Sequence, residues 1–220
     1  MSEEVTLAAN EKPIAVAFEG PLGSGKGTQV ELFLERRNDV RCIGVSGAIR
    51  HLAKAAPQYS YVLEIMNSGG LVPDHAVIQA VEVSLVENSV PQKKVTFLDG
   101  IPRSLTQAKY LVEDLSRFYE LHIILLHLED EECIRRAKKR RDAAMLLWSQ
   151  SDFDETKKPA ALRDDDKEEV VIERLRLYRE IEREIKSYLI LNSGNVAIHL
   201  LPADSHPEMV FEEIHSRVFA

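Results

Sequence analysis

The chain has 220 residues, 45% of them apolar, enough to bury one good core and short for two independent domains, so one domain carrying mobile insertions is expected. A formal net charge of −8 excludes nucleic acid or an anionic membrane as the main partner, because long-range repulsion slows every encounter. Cys42 and Cys133, the two cysteines, lack CxxC spacing and support neither a disulfide framework nor a zinc site; with no secretory signal pattern in residues 1–13 and no apolar run of membrane-spanning length, a cytoplasmic protein with two buried thiols is expected.

Ile14 to Phe18 is an apolar run that reads as a buried strand, and Val30, Leu32, Phe33 and Leu34 recur as a helix face does. Between them lies Gly20-Pro-Leu-Gly23-Ser24-Gly25-Lys26-Gly27-Thr28-Gln29, which satisfies G-x-x-x-x-G-K in the strand, loop, helix order that a phosphate-binding loop requires. Glycines let the backbone curl so that successive N–H groups aim at phosphate oxygens, and the helix N-terminus adds partial positive charge. Lys26 is placed to reach the β- and γ-phosphates of a nucleotide. Gly27 stands where most such loops carry the magnesium-ligating hydroxyl, and Thr28 follows it.

Val40 to Val45 reads as a second strand, Ser46 to Arg50 as a turn, and His51 to Ala56 and Tyr61 to Asn67 as helices. Ser68-Gly69-Gly70 breaks that pattern, and Pro73-Asp74 opens a helix reaching about Glu87. This helical stretch has no strand of its own and reads as an insertion. Val95 to Leu98 is β-rich and ends at Asp99-Gly100-Ile101-Pro102-Arg103, charged residues at the edge where open α/β sheets bind ligands. A helix from about Thr106 to Phe118, a strand from Leu121 to Leu128 and a helix from Asp130 to Arg141 follow. From Asp142 to Arg163 periodicity is lost, as in a lid, although Met145-Leu-Leu-Trp148 is apolar and is expected to form a small core of its own. Asp166 and Glu169 form a capping-box-like start for a helix whose stripe is Val171, Leu175, Tyr178, Ile185 and Leu189, before a last strand at Asn195 to Leu201 and a last helix at Pro207 to Phe219. Alternating strands and helices predict a three-layer α/β domain around a parallel sheet.

Three motifs carry a family resemblance. G-P-x-G-x-G-K-G-T-Q at Gly20, Asp99-Gly-Ile-Pro-Arg-Ser-Leu-Thr-Gln107-Ala108, and Arg163-x-Asp-Asp-x-x-Glu-x-x-x-x-Arg174-Leu-x-x-Tyr178 occur in the order and spacing of the adenylate kinase family, which the chain resembles from Ile14 to about Val218. The resemblance implies a P-loop fold with a five-stranded parallel sheet, a core at about 13–45, 91–141 and 166–220, an insert at about 46–90 that binds the acceptor nucleotide, and a lid at about 142–165. It implies that residues 23–28, Gly23, Ser24, Gly25, Lys26, Gly27 and Thr28, cradle ATP together with Arg136 and Arg140. The acceptor AMP is then held by Ser46, Arg50, Gly100, Arg103 and Gln107, with Gln107 reading the base. Asp99 orients water on magnesium, and Arg136, Arg140, Arg163 and Arg174 surround the phosphates when the lid closes. A guanidinium fork suits a phosphate in each of these roles.

Two pieces depart from the family pattern. Where relatives read S-T-G-D-x-L-R, this chain reads Val45-Ser46-Gly47-Ala48-Ile49-Arg50, one residue shorter and without the acid. The lid has no cysteine quartet, so no zinc is expected. The activity implied is transfer of the γ-phosphoryl of MgATP to AMP by a monomer, with Lys26, Arg103, Arg136, Arg163 and Arg174 as catalytic groups. Such transfer needs positioning and charge neutralisation, and the site accordingly offers cations and no nucleophile. A UMP/CMP-type kinase is the sister alternative, though that group tends to carry an Asn-type residue at the place of Gln107. A nucleotide-binding regulatory or scaffold protein with a weakened site is the alternative from another class.

Overall fold

The computed structural model describes residues 12–67, 70–87, 93–150, 153 and 168–219. The elements, in order, are β1 (Ile14–Glu19), α1 (Lys26–Arg36), β2 (Val40–Gly44), α2 (Val45–Ala55), α3 (Tyr61–Asn67), α4 (Asp74–Glu87), β3 (Val95–Asp99), α5 (Leu105–Lys109), β4 (Glu120–His127), α6 (Asp130–Ser149), α7 (Glu168–Asn192), β5 (Ala197–Pro202) and α8 (Pro207–Val218). The five strands form one sheet in the order β2-β3-β1-β4-β5, all pairs parallel. The expected three-layer parallel architecture is therefore present.

Strand periodicity sorts the core. Along β1, Ala15 and Ala17 face one layer with Leu98, Ile123, Ile185 and Leu189, while Val16 and Phe18 face the other with Phe33, Phe97, Ile124 and Phe211. Phe33 of α1 stacks against Phe97 (4.8 Å between ring centroids) and Phe211 of α8 (4.4 Å) and is fully buried, so truncation to alanine costs about 3–5 kcal/mol. α1 thus covers one face of the sheet, whereas α5, through Ala108, covers the opposite one. Because β1 and β3 are neighbours whose following helices leave to opposite faces, a crevice opens at the carboxyl ends of these two strands. Lys26, Asp99 and Arg103 gather there.

Three local expectations are corrected. The expected turn at Ser46 to Arg50 does not exist: β2 passes directly into α2 at Val45, because Val45, Ala48, Ile49 and Leu52 form a helical apolar face that packs into the core. The expected helix from Thr106 to Phe118 is α5 followed by a π-helical stretch at Tyr110–Asp114 and a 3₁₀ turn at Leu115–Arg117. Ser116 Oγ donates back to the Val112 carbonyl (2.6 Å), a competing bond of the kind that loosens a helix end. The helix expected to end at Arg141 continues to Ser149, as the run Ala143-Ala-Met-Leu-Leu147 is rich in strong helix formers. Residues 142–149, read from sequence as irregular, are therefore helical, with the Trp148 ring edge-on to Phe153 at 5.2 Å. Cys133 is buried as expected, but Cys42 is only half-buried; both are free, with thiol pKa values pushed up to about 11, chiefly by burial.

Candidate active site

The loop between β1 and α1 is built from its glycines. Gly25, the N-cap of α1, has φ of 86°, a left-handed conformation that turns the chain into the helix and that side chains with a Cβ rarely adopt. Lys26 folds its side chain back over the loop, and its ammonium donates to the carbonyls of Gly20 (2.6 Å) and Pro21 (2.9 Å) and to Ser24 Oγ (3.3 Å). Burial lowers the Lys26 pKa to about 8; the Glu19 and Asp99 charges oppose that shift and the Arg103 charge adds to it. Gly27 and Thr28 are exposed in the first turn of α1, where backbone N–H groups have no helical acceptor.

Across the crevice, β3 ends at Asp99 and the chain turns through Gly100 at φ of 102°, followed by a cis peptide bond between Ile101 and Pro102. A Cβ on Gly100 would lie 3.2 Å from Arg103 Nη2 and 3.4 Å from Val45 Cβ, so the guanidinium packs directly over this glycine. Arg103 keeps an accessible face in the crevice, while the surrounding protein lowers its pKa by desolvation, opposed by Asp99 and assisted by the Arg174 charge. Lys26, Asp99, Arg103 and Arg174 therefore share one electrostatic neighbourhood, although they come from α1, β3, the loop after β3 and α7.

The first turn of α5 is held by a capping arrangement. Ser104, its N-cap, accepts from the Gln107 backbone N–H (3.1 Å), while Gln107 Oε1 accepts from the Arg103 backbone N–H (2.7 Å). In the usual reciprocal box the glutamine reaches the cap residue's own N–H; here it reaches one residue further back. Asp74, at the start of α4, accepts through one carboxylate oxygen from both Ser104 Oγ (2.8 Å) and Gln107 Nε2 (2.7 Å). The candidate base reader is thus buried, at 4% exposure, and bonded at both ends of its amide.

The remaining candidates are placed as follows. Arg136 lies against the loop, donating Nη1 to the Gly23 carbonyl (3.1 Å) and Nε to Glu132 (2.7 Å). Glu132 also accepts from Arg135, and these two arginines hold its pKa down to about 2, the Arg135 bond contributing most. Arg140 is exposed, one turn further along α6. Ser46 and Arg50, four residues apart on α2, share its exposed face. Ala48 points the other way, into the core at 7% exposure, so an acid at this position would be desolvated in apolar surroundings. Arg163 lies outside the described residues, as do Asp166 and most of the segment between Ser149 and Glu168.

A second group lies beneath the loop, where burial could not be read from the sequence. Glu19, the last residue of β1, is 2% exposed and accepts from the Tyr178 hydroxyl (2.5 Å), while its Oε2 has no hydrogen-bond partner. Burial raises its pKa; the Tyr178 bond and the Lys186 and Lys26 charges oppose the rise, and Glu182 adds to it. Tyr178, Glu182 and Lys186 recur every four residues along α7, so the helix that carries Arg174 is tied at Tyr178 to the base of the loop. Glu182 in turn pairs with Lys186 (2.5 Å) and Arg179 (2.7 Å), and Arg179 reaches Asp130 (2.7 Å) at the start of α6. Among the described residues, no group of three or more His, Cys, Asp or Glu side chains is placed to hold a metal ion, and no helix is long and apolar enough to cross a membrane.

A parallel sheet with a glycine loop after its central strand, a lysine in that loop and a second cationic loop after the neighbouring strand define a phosphotransferase of the phosphate-loop class. The model of the adenylate kinase family matches residues 18–191. An adenylate kinase of Hydrogenobaculum sp. is 32% identical over 210 residues, spanning 90% of this chain and 96% of that protein. Adenylate kinases of Thermus thermophilus (31% over 177 residues, 79% of this chain and 82% of that protein) and Methanothrix thermoacetophila (30% over 185 residues, 79% and 85%) are similar to it as well. The chain belongs to the adenylate kinase family.

Proposed function

We propose that the protein transfers the γ-phosphoryl group of MgATP to AMP, giving two ADP. The observation that carries this reading is that two cations face one crevice, Lys26 from the loop after β1 and Arg103, packed over Gly100, from the loop after β3; burial lowers the pKa of Lys26 and the Arg103 charge lowers it further. Two cations held together at this cost are relieved by an anion lying between them. A phosphoryl group passing from donor to acceptor is such an anion. On this reading residues 23–28 bind the ATP phosphates, and Lys26 exchanges its bonds to the Gly20 and Pro21 carbonyls for phosphate oxygens. Arg136, already on the Gly23 carbonyl, moves the short distance to the same phosphates, with Arg140 beside it.

The acceptor side uses Arg103 on the AMP phosphate, Gly100 through its backbone, Ser46 and Arg50 from α2, and Gln107 on the base. The acceptor phosphate oxygen attacks the γ-phosphorus in line as the bond to the β–γ bridging oxygen breaks, and ADP leaves with that oxygen. Charge on the transferring group is stabilised by Lys26, Arg103 and Arg174, with Arg163 joining as the lid segment at about 142–165 closes and excludes water. Asp99, partly exposed at the end of β3 and electrostatically coupled to Lys26, suits a magnesium ion held largely through its waters and the nucleotide phosphates; such an ion neutralises phosphate charge when bound. On this reading the lid, which has no cysteine quartet, holds no zinc, and the enzyme acts as a monomer.

The test is turnover of ATP with AMP, UMP, CMP, GMP and dTMP in turn, following ADP. AMP is expected to give the highest kcat/KM. A higher value for UMP or CMP assigns the protein to the pyrimidine kinases, and ATP binding without ADP from any acceptor makes it a nucleotide-binding module.

A further inference from the structure

We propose that Asp74 is a specificity-determining residue that fixes which way round the Gln107 amide faces, and so restricts the acceptor to bases with a hydrogen-bond donor above a ring acceptor, as in adenine. The inference rests on the reading of Gln107 as the residue that meets the base. A side-chain amide offers two N–H donors on one end and two lone pairs on the other. One of each is committed here: Nε2 donates to the Asp74 carboxylate (2.7 Å), and Oε1 accepts from the Arg103 backbone N–H (2.7 Å). A carboxylate can only accept and a backbone N–H can only donate. Rotating the amide by half a turn would set oxygen against oxygen at Asp74 and N–H against N–H at Arg103, inside a site where Gln107 is 4% exposed. Burying two mispaired polar contacts is disfavoured by a factor of about ten or more. Asp74 is itself anchored by Ser104 Oγ (2.8 Å), the cap of the same helix, so donor, acceptor and anchor belong to one closed set.

One N–H and one lone pair of the amide remain. Adenine presents its 6-amino donor beside the N1 acceptor, which matches a carbonyl oxygen and an N–H in fixed positions. Hypoxanthine has nearly the same outline but presents a 6-oxo acceptor beside an N1–H donor, so the same amide meets it like against like on both atoms. Cytosine and uracil stand in the same relation to each other as adenine and hypoxanthine. Size can separate purines from pyrimidines, but only the polarity of the amide separates the members of each pair. The 2-amino group of guanine is absent from hypoxanthine, so IMP removes bulk as an explanation.

The experiment measures kcat/KM for AMP, IMP, CMP and UMP with MgATP, in the parent and in Asp74→Asn, Asp74→Glu and Gln107→Leu. The parent is expected to favour AMP over IMP and CMP over UMP. Asparagine can either donate or accept, so Asp74→Asn removes one of the two clamps, leaves only the Arg103 N–H to oppose a turned amide, and should lower the AMP to IMP ratio about threefold or more. Asp74→Glu keeps a pure acceptor and should retain the ratio, which general loosening of the site would not do. Should Asp74→Asn fail to melt cooperatively, Asp74→Ser, whose hydroxyl also donates or accepts, repeats the test. A ratio unchanged in the Asn or Ser variant, but lost in Gln107→Leu, overturns the role of Asp74 while leaving Gln107 as the base reader. A ratio unchanged in Gln107→Leu overturns the placement of Gln107 against the base, and with it this inference.

Discussion

The two loops that face each other across the crevice are held in opposite ways. After β1, the Lys26 ammonium rests on the neutral carbonyls of Gly20 and Pro21, partners that a phosphate oxygen out-competes readily, while Arg136 holds the Glu132 carboxylate through Nε and lends only Nη1 to the Gly23 carbonyl. After β3, the Gln107 amide is fixed between a carboxylate and a backbone N–H, neither of which a nucleotide can replace without leaving it unpaired. On the function proposed above, the cation that meets the transferring charge is parked on weak acceptors, and the amide that meets the base is clamped. Electrostatic stabilisation and discrimination would then make different demands on neighbouring side chains of one crevice.

The sharpest way to break that contrast is to remove cations from the two sides separately. Arg103→Ala is expected to raise the KM for the acceptor and lower kcat/KM by about 10²–10³, with ATP affinity nearly unchanged, whereas Arg174→Ala should act mainly on kcat. Steady-state kinetics with each substrate varied, together with direct ATP titration, separates the two. Equal losses of ATP and acceptor affinity in Arg103→Ala would place its guanidinium on the donor side.

The parked state of Lys26 predicts a smaller effect with a definite sign. Its pKa of about 8 lies below the ordinary value of 10.5, so as pH rises through 8 the free protein loses the proton that a bound phosphate would retain. ATP affinity should therefore fall above pH 8, by at most about tenfold per pH unit, and Lys26→Arg, charged throughout this range, should flatten the profile. Titration calorimetry from pH 7 to pH 9.5 reads the slope. A parent whose affinity does not change above pH 8 would show that Lys26 is not desolvated by its own loop.

The smallest expected effect concerns stability. Glu19 has a raised pKa, so between the ordinary carboxylate value of 4.5 and its folded value the native state binds more protons than the unfolded one, and stability falls as pH rises through that window. Glu19→Gln keeps an acceptor for Tyr178 and removes the charge. It should be more stable than the parent at pH 8 by about 1 kcal/mol, with the difference vanishing below the ordinary carboxylate pKa. Thermal melts at pH 4 and pH 8 check this; a variant less stable at pH 8 would mean that the charge is favoured by Lys26 and Lys186 more than burial opposes it.

Much of this crevice was legible in the chain because its chemistry is local. The spacing of Gly20, Gly25 and Lys26 sets a loop within ten residues, and Asp99 to Arg103 follows its strand directly. The cap from Ser104 to Gln107 went unread, although S-x-x-Q has the form of one, and the tie to Asp74 spans 33 residues that no local pattern announces. The burial of Glu19 leaves no local mark in the sequence, since its partner Tyr178 is 159 residues away. The acid missing from the motif around Ala48 read as a departure within a turn, but β2 runs straight into a helix there and position 48 faces the core. The extension of α6 was masked by its composition: Met145 to Trp148 lack the polar half of an amphipathic stripe, yet backbone propensity carried the helix on.

The packing of α1 against α8 has a consequence for biosynthesis. Gln29 donates to the Pro207 carbonyl (3.0 Å), Arg36 pairs with Glu208 (2.6 Å), and the Arg37 guanidinium lies 3.9 Å from the centre of the Phe219 ring. The helix that opens with Lys26 leaves the ribosome well before the partners that cover its apolar side, since Gln29 and Pro207 are 178 residues apart. A nascent chain ending before Pro207 would expose Phe33 and leave the helix behind the glycine loop without its cover, so this helix is packed only once α8 has been made. Variants that lack α8 should accordingly appear as aggregation during expression, before any deficit in turnover can be measured.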